Sequence, residues 1–483
     1  MRHRVLALVA AIAIGAGIAG CTESTIPESA VQYRTVTKMP PATLNAAPDA
    51  NLHIPGDDAT ELSFNLSREL YASAPAVIVS SREALADASD AAEMPLPILV
   101  LPEDPTTEEL AALTEESTRL GAKGWIAHGL TLPEEFPEPT RLVSAELEDR
   151  AVLTVGDSEI ASELIAGLGW DVLEVPKDPR GSAEAIAALA ELPEEPVIVV
   201  GDVDKNFAWR LATARTGVLL PTGTQLAAPD VLYVALYGHP SGGALGVLGE
   251  QNVPDTIKRA EQHAKPYRDL VDVPVVPALE IIATVASAGA GSDGNYSAES
   301  DISVLTPLID AAGEAGMYVV IDLQPGRTDF LTQAKEYEEL LLRPYVGLAL
   351  DPEWRLKKDQ VHLTQIGQVR TSEVNEVVTW LADLTRENAL PQKILILHSF
   401  QNRMITDIQD LDTSRSELAI VMHVDGQGAQ GAKQNTWNAL HNYAPNIDLW
   451  GWKNFYDEDT PKMLTPKQTI ANVTPQPIFI SYQ

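Results

Sequence analysis

The stretch GLALDPEW, residues 347 to 354, ends a short apolar run in two carboxylates, Asp351 and Glu353, one proline apart. If the run is a strand whose extended course continues through Pro352, period-two geometry puts both acids on one side, with Cα atoms roughly 6 to 7 Å apart. Paired carboxylates can divide acid and base work in glycoside cleavage. Trp354, Trp450 and Trp452 offer flat apolar faces for sugar rings. Other polar groups stand at the ends of apolar runs: His239, Asp322, His398, His423 and Asp425. Glu280 lies inside the run VPALEIIA, where an isolated charge must be paired or protonated. His239, His398, His423 and Asp425 would also suit a metal hydrolase. The sequence lacks the His-x-His and His-x-x-x-His spacings of such sites, so no metal is expected. It has no G-x-S-x-G for a serine mechanism.

Eight apolar runs after Pro229 must position these groups: residues 231–237, 275–283, 317–323, 346–350, 393–398, 418–424, 448–452 and 477–482. Most gaps hold a helical pattern, at 256–270, 302–315, 330–342, 373–388 and 433–441, with a short candidate at 466–472 and a less regular gap after the fifth run. Eight such units over 227–483 predict a (β/α)8 barrel, whose chemistry gathers at the C-terminal strand ends. The chain stops after the eighth run, so the barrel is expected to lack its last helix and to be covered there by the preceding domain. Parity agrees with a barrel. Leu348 and Leu350 oppose Gly347, Ala349 and Asp351; Ile420, Met422 and Val424 oppose Ala419, Val421, His423 and Asp425. Bulky aliphatics then face the helices, and small or polar residues face the lumen.

Residues 59–226 alternate apolar runs (76–80, 97–101, 125–129, 151–156, 171–175, 196–201) with helical stretches at 106–120, 160–168 and 183–192. That rhythm predicts an α/β domain with parallel sheets. The segments 155–157 and 200–202 both read Val-Gly-Asp, but neither opens a glycine-rich phosphate loop, so no cofactor is expected.

The stretch AVIVSSREALADASDAAEMPLPILVLPED, 76 to 104, resembles the cell wall-binding repeat 2 family. Ala84, Ala86, Asp87, Ala88, Pro97, Ile98 and Leu99 stand where that pattern puts them. The resemblance implies binding to a wall polymer. The Asp-x-Glu ending the fourth barrel run is similar to the tail of the motif in chitinase-like (family 18) and lysozyme-like (family 25) barrels, although Ala349 stands where the chitinase pattern has an earlier aspartate. That resemblance implies Glu353 as general acid/base and Asp351 as its orienting partner. Among Asp322, Glu280 and Asp425, the neighbouring-strand Asp322 is the expected second catalytic carboxyl. Glu280, His239, His398, His423, Asp425 and the three tryptophans are expected to bind substrate.

Arg2 and Arg4 precede an apolar stretch, 5 to 18, of signal-peptide length, followed by Ile18-Ala19-Gly20-Cys21. This looks like a bacterial lipobox over residues 1–21, with Cys21, the single cysteine, as the lipidated residue. Residues 22–58, rich in Pro, Ala, Ser and Thr, read as a flexible linker spanning about 30 Å. A net charge of −34 argues against a nucleic-acid partner and would repel acidic polymers at a distance. The expected protein is therefore lipid-anchored at the outer face of the cytoplasmic membrane, in the cell envelope. Its barrel resembles a glycoside hydrolase for an envelope polysaccharide; the alternative is an inert glycan-binding lipoprotein.

Overall fold

The eight apolar runs of the second half are the parallel strands Leu232–Gly238, Val275–Ala286, Tyr318–Leu323, Val346–Leu350, Lys393–His398, Leu418–Val424, Leu449–Asn454 and Phe479–Tyr482, here named first to eighth. Each pairs with the next, and the eighth pairs with the first, which closes the barrel. The structure is a computed structural model that describes residues 39–90, 95–132, 147–148, 150–156, 159–166 and 168–483. Cys21 and the start of the expected linker lie outside the described residues.

Helices Val253–Ala264, Ile302–Glu314, Phe330–Glu336 with Glu338–Leu341, Thr371–Glu387, Gln430–Tyr443 and Pro466–Asn472 fill six of the gaps. After the fifth strand comes a short 3-10 turn, Ile408–Asp410. The second strand runs on to Ala286 because its end pairs antiparallel with Ser297–Glu299. The parity holds. Leu348, Leu350, Ile420, Met422 and Val424 lie in the layer between strands and helices. Ala349, Ala419 and Val421 fill the lumen with Tyr233, Tyr318 and Phe479.

The first half forms two parallel sheets. One places Val77–Ser80 between Ile98–Val100 and Trp125–His128; the other runs Leu52–Ile54, Ile198–Val200, Val152–Val155, Val172–Val175. Helix Thr107–Leu120 begins on a reciprocal cap, in which Thr106 Oγ1 accepts from Glu109 N and the Glu109 carboxylate accepts from Thr106 N. Two strands, Thr43–Leu44 and Leu52–Ile54, fall inside the stretch read as a linker. Leu52–Ile54 is three residues long, and a partner at Ile198–Val200, far away in sequence, makes it a strand. Its local pattern is too short to announce it.

The two halves meet at the base of the barrel. Arg180 Nη1 donates to Ser416 O at 3.2 Å, Arg386 Nη2 to Asn206 Oδ1 at 3.0 Å, and Gln392 N to Gln225 O at 2.9 Å. The Trp209 ring carries the guanidinium of Arg180 at 4.3 Å and that of Arg386 at 5.0 Å. On the flank that the first domain was expected to cover, the outer face of the eighth strand packs on the first crossover helix. Ile480 and Tyr482 share an apolar cluster with Ala260 and Ala264, and the hydroxyls of Tyr267 and Tyr482 are 2.5 Å apart. The first half therefore leaves the opposite, C-terminal face of the barrel to the loops.

Candidate active site at the barrel mouth

Lumen-facing positions near the C-terminal ends of the strands supply Tyr237, Glu280, Asp322, His398, His423, Lys453 and Ser481, all buried. They fit because intervening lumen positions are small. A Cβ on Gly451 would stand 2.8 Å from Cδ2 of His423, so only glycine lets that ring enter between the sixth and seventh strands.

His398 is the hub. Its Nε2 lies 2.7 Å from Glu280 Oε1 and its Nδ1 3.0 Å from Asp425 Oδ2, so it bridges carboxyls from the second strand and the end of the sixth. Burial disfavours its charge, but Glu280 and Asp425 outweigh burial and hold the imidazole well above its usual range. The resulting imidazolium donates from both nitrogens. Asp322 Oδ1 is 3.9 Å from the same Nε2, while its Oδ2 accepts from the Tyr237 hydroxyl at 2.9 Å. Burial, then the charge of Glu280, pushes Asp322 up to about 6 against the pull of His398 and Lys453. Lys453 Nζ stands 3.4 Å from the centroid of the Tyr237 ring. His423 is neutral, because burial and the neighbouring charges of His398 and Lys453 push it well below the imidazole range; its Nε2 meets Ser481 Oγ at 3.0 Å. Four buried atoms of the cluster, Glu280 Oε2, Asp322 Oδ1, His423 Nδ1 and Asp425 Oδ1, have no hydrogen-bond partner among the described residues.

The paired acids of the fourth strand are held by a turn, which corrects the extended course expected through Pro352. Asp351 caps a 3-10 turn, Pro352–Trp354, and its Oδ1 accepts from Glu353 N at 3.1 Å. Proline suits the first position of such a turn, since its φ is preset and it has no N–H to satisfy. Asp351 is buried, and burial, then the charge of Asp322, drives its carboxyl well above the usual range. Its side chain fixes the backbone of its neighbour. Half-buried Glu353 is pushed up to about 7, by burial and then by the charge of Asp425, with Lys453 and His398 opposing. Asp425 moves the other way: burial raises it, but the hydrogen bond and charge of His398 and the charge of Lys453 lower it below the carboxylate norm.

The structure thus brings together Asp322, Asp351, Glu353, Glu280, His398, His423 and Asp425. It does not bring in the strand-seven tryptophans. Trp450 and Trp452 point outward into the helix layer, 4% and 1% exposed; Trp450 stacks on His441 at 3.5 Å and Trp452 packs edge-on against Trp437. The reason is parity: with Gly451 in the lumen, its two neighbours must face out. Trp354 is half-buried at the turn, with its ring edge-on to His362 at 5.4 Å. His239 is tied to loops, Nδ1 to Ser241 Oγ at 2.7 Å and Nε2 to Ser300 Oγ at 2.9 Å, and takes no part in the hub. Sequence reasoning missed Lys453 and Tyr237. The signal was present in the parity rule applied to strands four and six: a lumen-facing Gly451 makes Lys453 the next inward residue. Among the described residues, no group of three or more His, Cys, Asp or Glu side chains is arranged to hold a metal ion.

The fold and site define a closed parallel α/β barrel with a buried carboxyl–imidazole cluster at its C-terminal mouth. No protein-family model matches the chain, and no curated protein does. Among solved structures it is similar to the 7,8-dihydropteroate synthase from Vibrio fischeri ES114, at 12% identity and a TM-score of 0.29, over 52% of this chain and 87% of that one. A likeness that slight carries no argument about substrate or site.

Proposed function

We propose that this chain is a lipid-anchored cell-envelope protein whose barrel hydrolyses glycosidic bonds of an envelope polysaccharide. The observation that carries the reading is the Glu353–Asp425 pair: two carboxyls at one mouth whose surroundings drive their proton affinities apart. Such divergence divides acid from base. Glu353, protonated near neutrality, gives its proton to the leaving oxygen; Asp425, kept ionised by His398, attacks the anomeric carbon or activates water. Asp425 therefore takes the role that the sequence suggested for Asp322, which is fully buried and bonded to Tyr237. In this reading the first half is the cell wall-binding-repeat-like α/β domain and Cys21 carries the lipid.

The test is Glu353→Gln, which keeps the shape and removes the proton. Release of reducing ends from purified envelope glycans should fall by about 10²- to 10⁴-fold while glycan binding persists. Full activity in the variant would sink the assignment. Anchoring is tested separately, since Cys21→Ala should move the protein from the membrane fraction to the soluble one.

A further inference from the structure

A cavity of about 670 Å³ opens beside the mouth where the loop after the fourth strand turns away from Glu353. Five cationic side chains line it: Arg327 from the loop after the third strand, Arg355, Lys357 and Lys358 from the loop after the fourth, and Arg370 at the cap of helix Thr371–Glu387. In a chain with 34 bases against 68 acids, that is a local reversal of sign.

Three acids also line it, Asp329, Glu373 and Glu376, and leave the five cations in excess. Glu373 is committed to Arg355, at 2.9 Å to Nε and 3.3 Å to Nη2, and Asp329 caps its own helix by accepting from Thr332 N at 2.8 Å. Arg355 Nη1 donates to the carbonyls of Gly326, Arg327 and Leu356, so it braces the loop. Arg327 lies over the Tyr296 ring at 4.4 Å and keeps a buried Nε without a partner. Lys358 and Arg370 are exposed, and among the described residues their side chains have no ion pair or hydrogen bond. The cap of the 17-residue helix makes no side-chain hydrogen bond, so the positive end of the helix adds to the field.

We infer that this cavity is a subsite for an oxyanion borne by the polymer, a carboxylate or a phosphodiester, held by Arg327, Lys357, Lys358 and Arg370. It rests on the reading above for the ligand being a glycan. Continuity supports it: Arg355 is two residues beyond Glu353, and Gly367 N, from the far side of the same loop, donates to Glu353 O at 2.7 Å. An extended chain with its scissile bond at Glu353 would place a neighbouring residue over these cations. The net charge repels a polyanion at long range, and the local cavity reverses this only within a screening length of its surface.

The experiment titrates the full chain with three probes: an oligogalacturonate, a glycerol-phosphate oligomer and neutral dextran oligomers. Wild type is compared with Lys358→Gln combined with Arg370→Gln, two surface changes with no protein partner to lose. The expected result is at least a tenfold loss of affinity for one anionic oligomer in the double variant, no change for dextran, and weakening of wild-type binding by salt. Which anionic probe responds distinguishes carboxylate from phosphodiester. Binding of neither anionic oligomer, or equal binding by both proteins, overturns the subsite. The same titration on Glu353→Gln keeps the two readings apart, because a protein that binds the polyanion but cleaves no glycan loses the hydrolase role and retains this one.

Discussion

His398 Nε2 and Glu280 Oε1 meet at 2.7 Å in the centre of the barrel mouth, both side chains without solvent exposure. A buried pair of this kind is expensive to break, because the charge left behind has no water. Glu280→Ala is expected to cost about 3 to 5 kcal/mol in denaturant unfolding. A loss under about 1 kcal/mol would mean that His398 is neutral and its link to Glu280 weak.

Asp322 and Asp425 should separate in function. Asp425→Asn is expected to reduce glycan cleavage by about 10²-fold or more, since the proposed mechanism uses its charge. Asp322→Asn keeps the bond from Tyr237 and should be milder. It also has a stability signature. The folded pKa of Asp322, about 6, lies above its unfolded value of 3.8, so the native state holds the proton more tightly and wild-type stability is lost as pH rises through that window. The Asn variant lacks that loss. Its stability relative to wild type should therefore increase from pH 4 to 7, and parallel curves would contradict the protonated Asp322.

The pH profile of cleavage should be bell-shaped, with its basic limb near 7 set by Glu353 and its acidic limb below the usual carboxylate value set by Asp425. Lys453 holds Glu353 down, so Lys453→Met should move the basic limb upward. A limb that stays in place or moves down would remove Lys453 from the electrostatics of the site.

Trp452→Ala tests the corrected role of that ring. As a sugar platform it would weaken binding and leave stability alone. Buried against Trp437 and Lys433, it should instead cost about 3 to 5 kcal/mol of stability. A variant as stable as wild type but unable to bind glycan would restore the platform.

Periodicity alone made most of the barrel legible. Eight apolar runs alternating with helical stretches have few other ways to bury their faces, and the small-in, large-out parity of Val346–Leu350 and Leu418–Val424 survived into the lumen and helix layers. The same rule, carried to strand seven, would have exchanged Trp452 for Lys453. The glycine between the two tryptophans, Gly451, carries that signal.

The sequence by itself determined which residues are lumenal and which strand ends carry acids, because alternation is a local property of the chain. Only the tertiary structure decided which acid does what. Asp351, Glu353, Asp322 and Asp425 are similar carboxyls in sequence. Their proton affinities diverge because burial raises Asp351, Glu353 and Asp322, whereas at Asp425, which alone among them hydrogen-bonds His398, the bond and charge of that imidazolium outweigh burial. The bond to Asp425 joins residues 27 positions apart and the bond from Tyr237 to Asp322 residues 85 apart, beyond the reach of any local pattern. The strand Leu52–Ile54 has the same lesson, since its partner at Ile198–Val200 made a strand of what composition alone reads as linker.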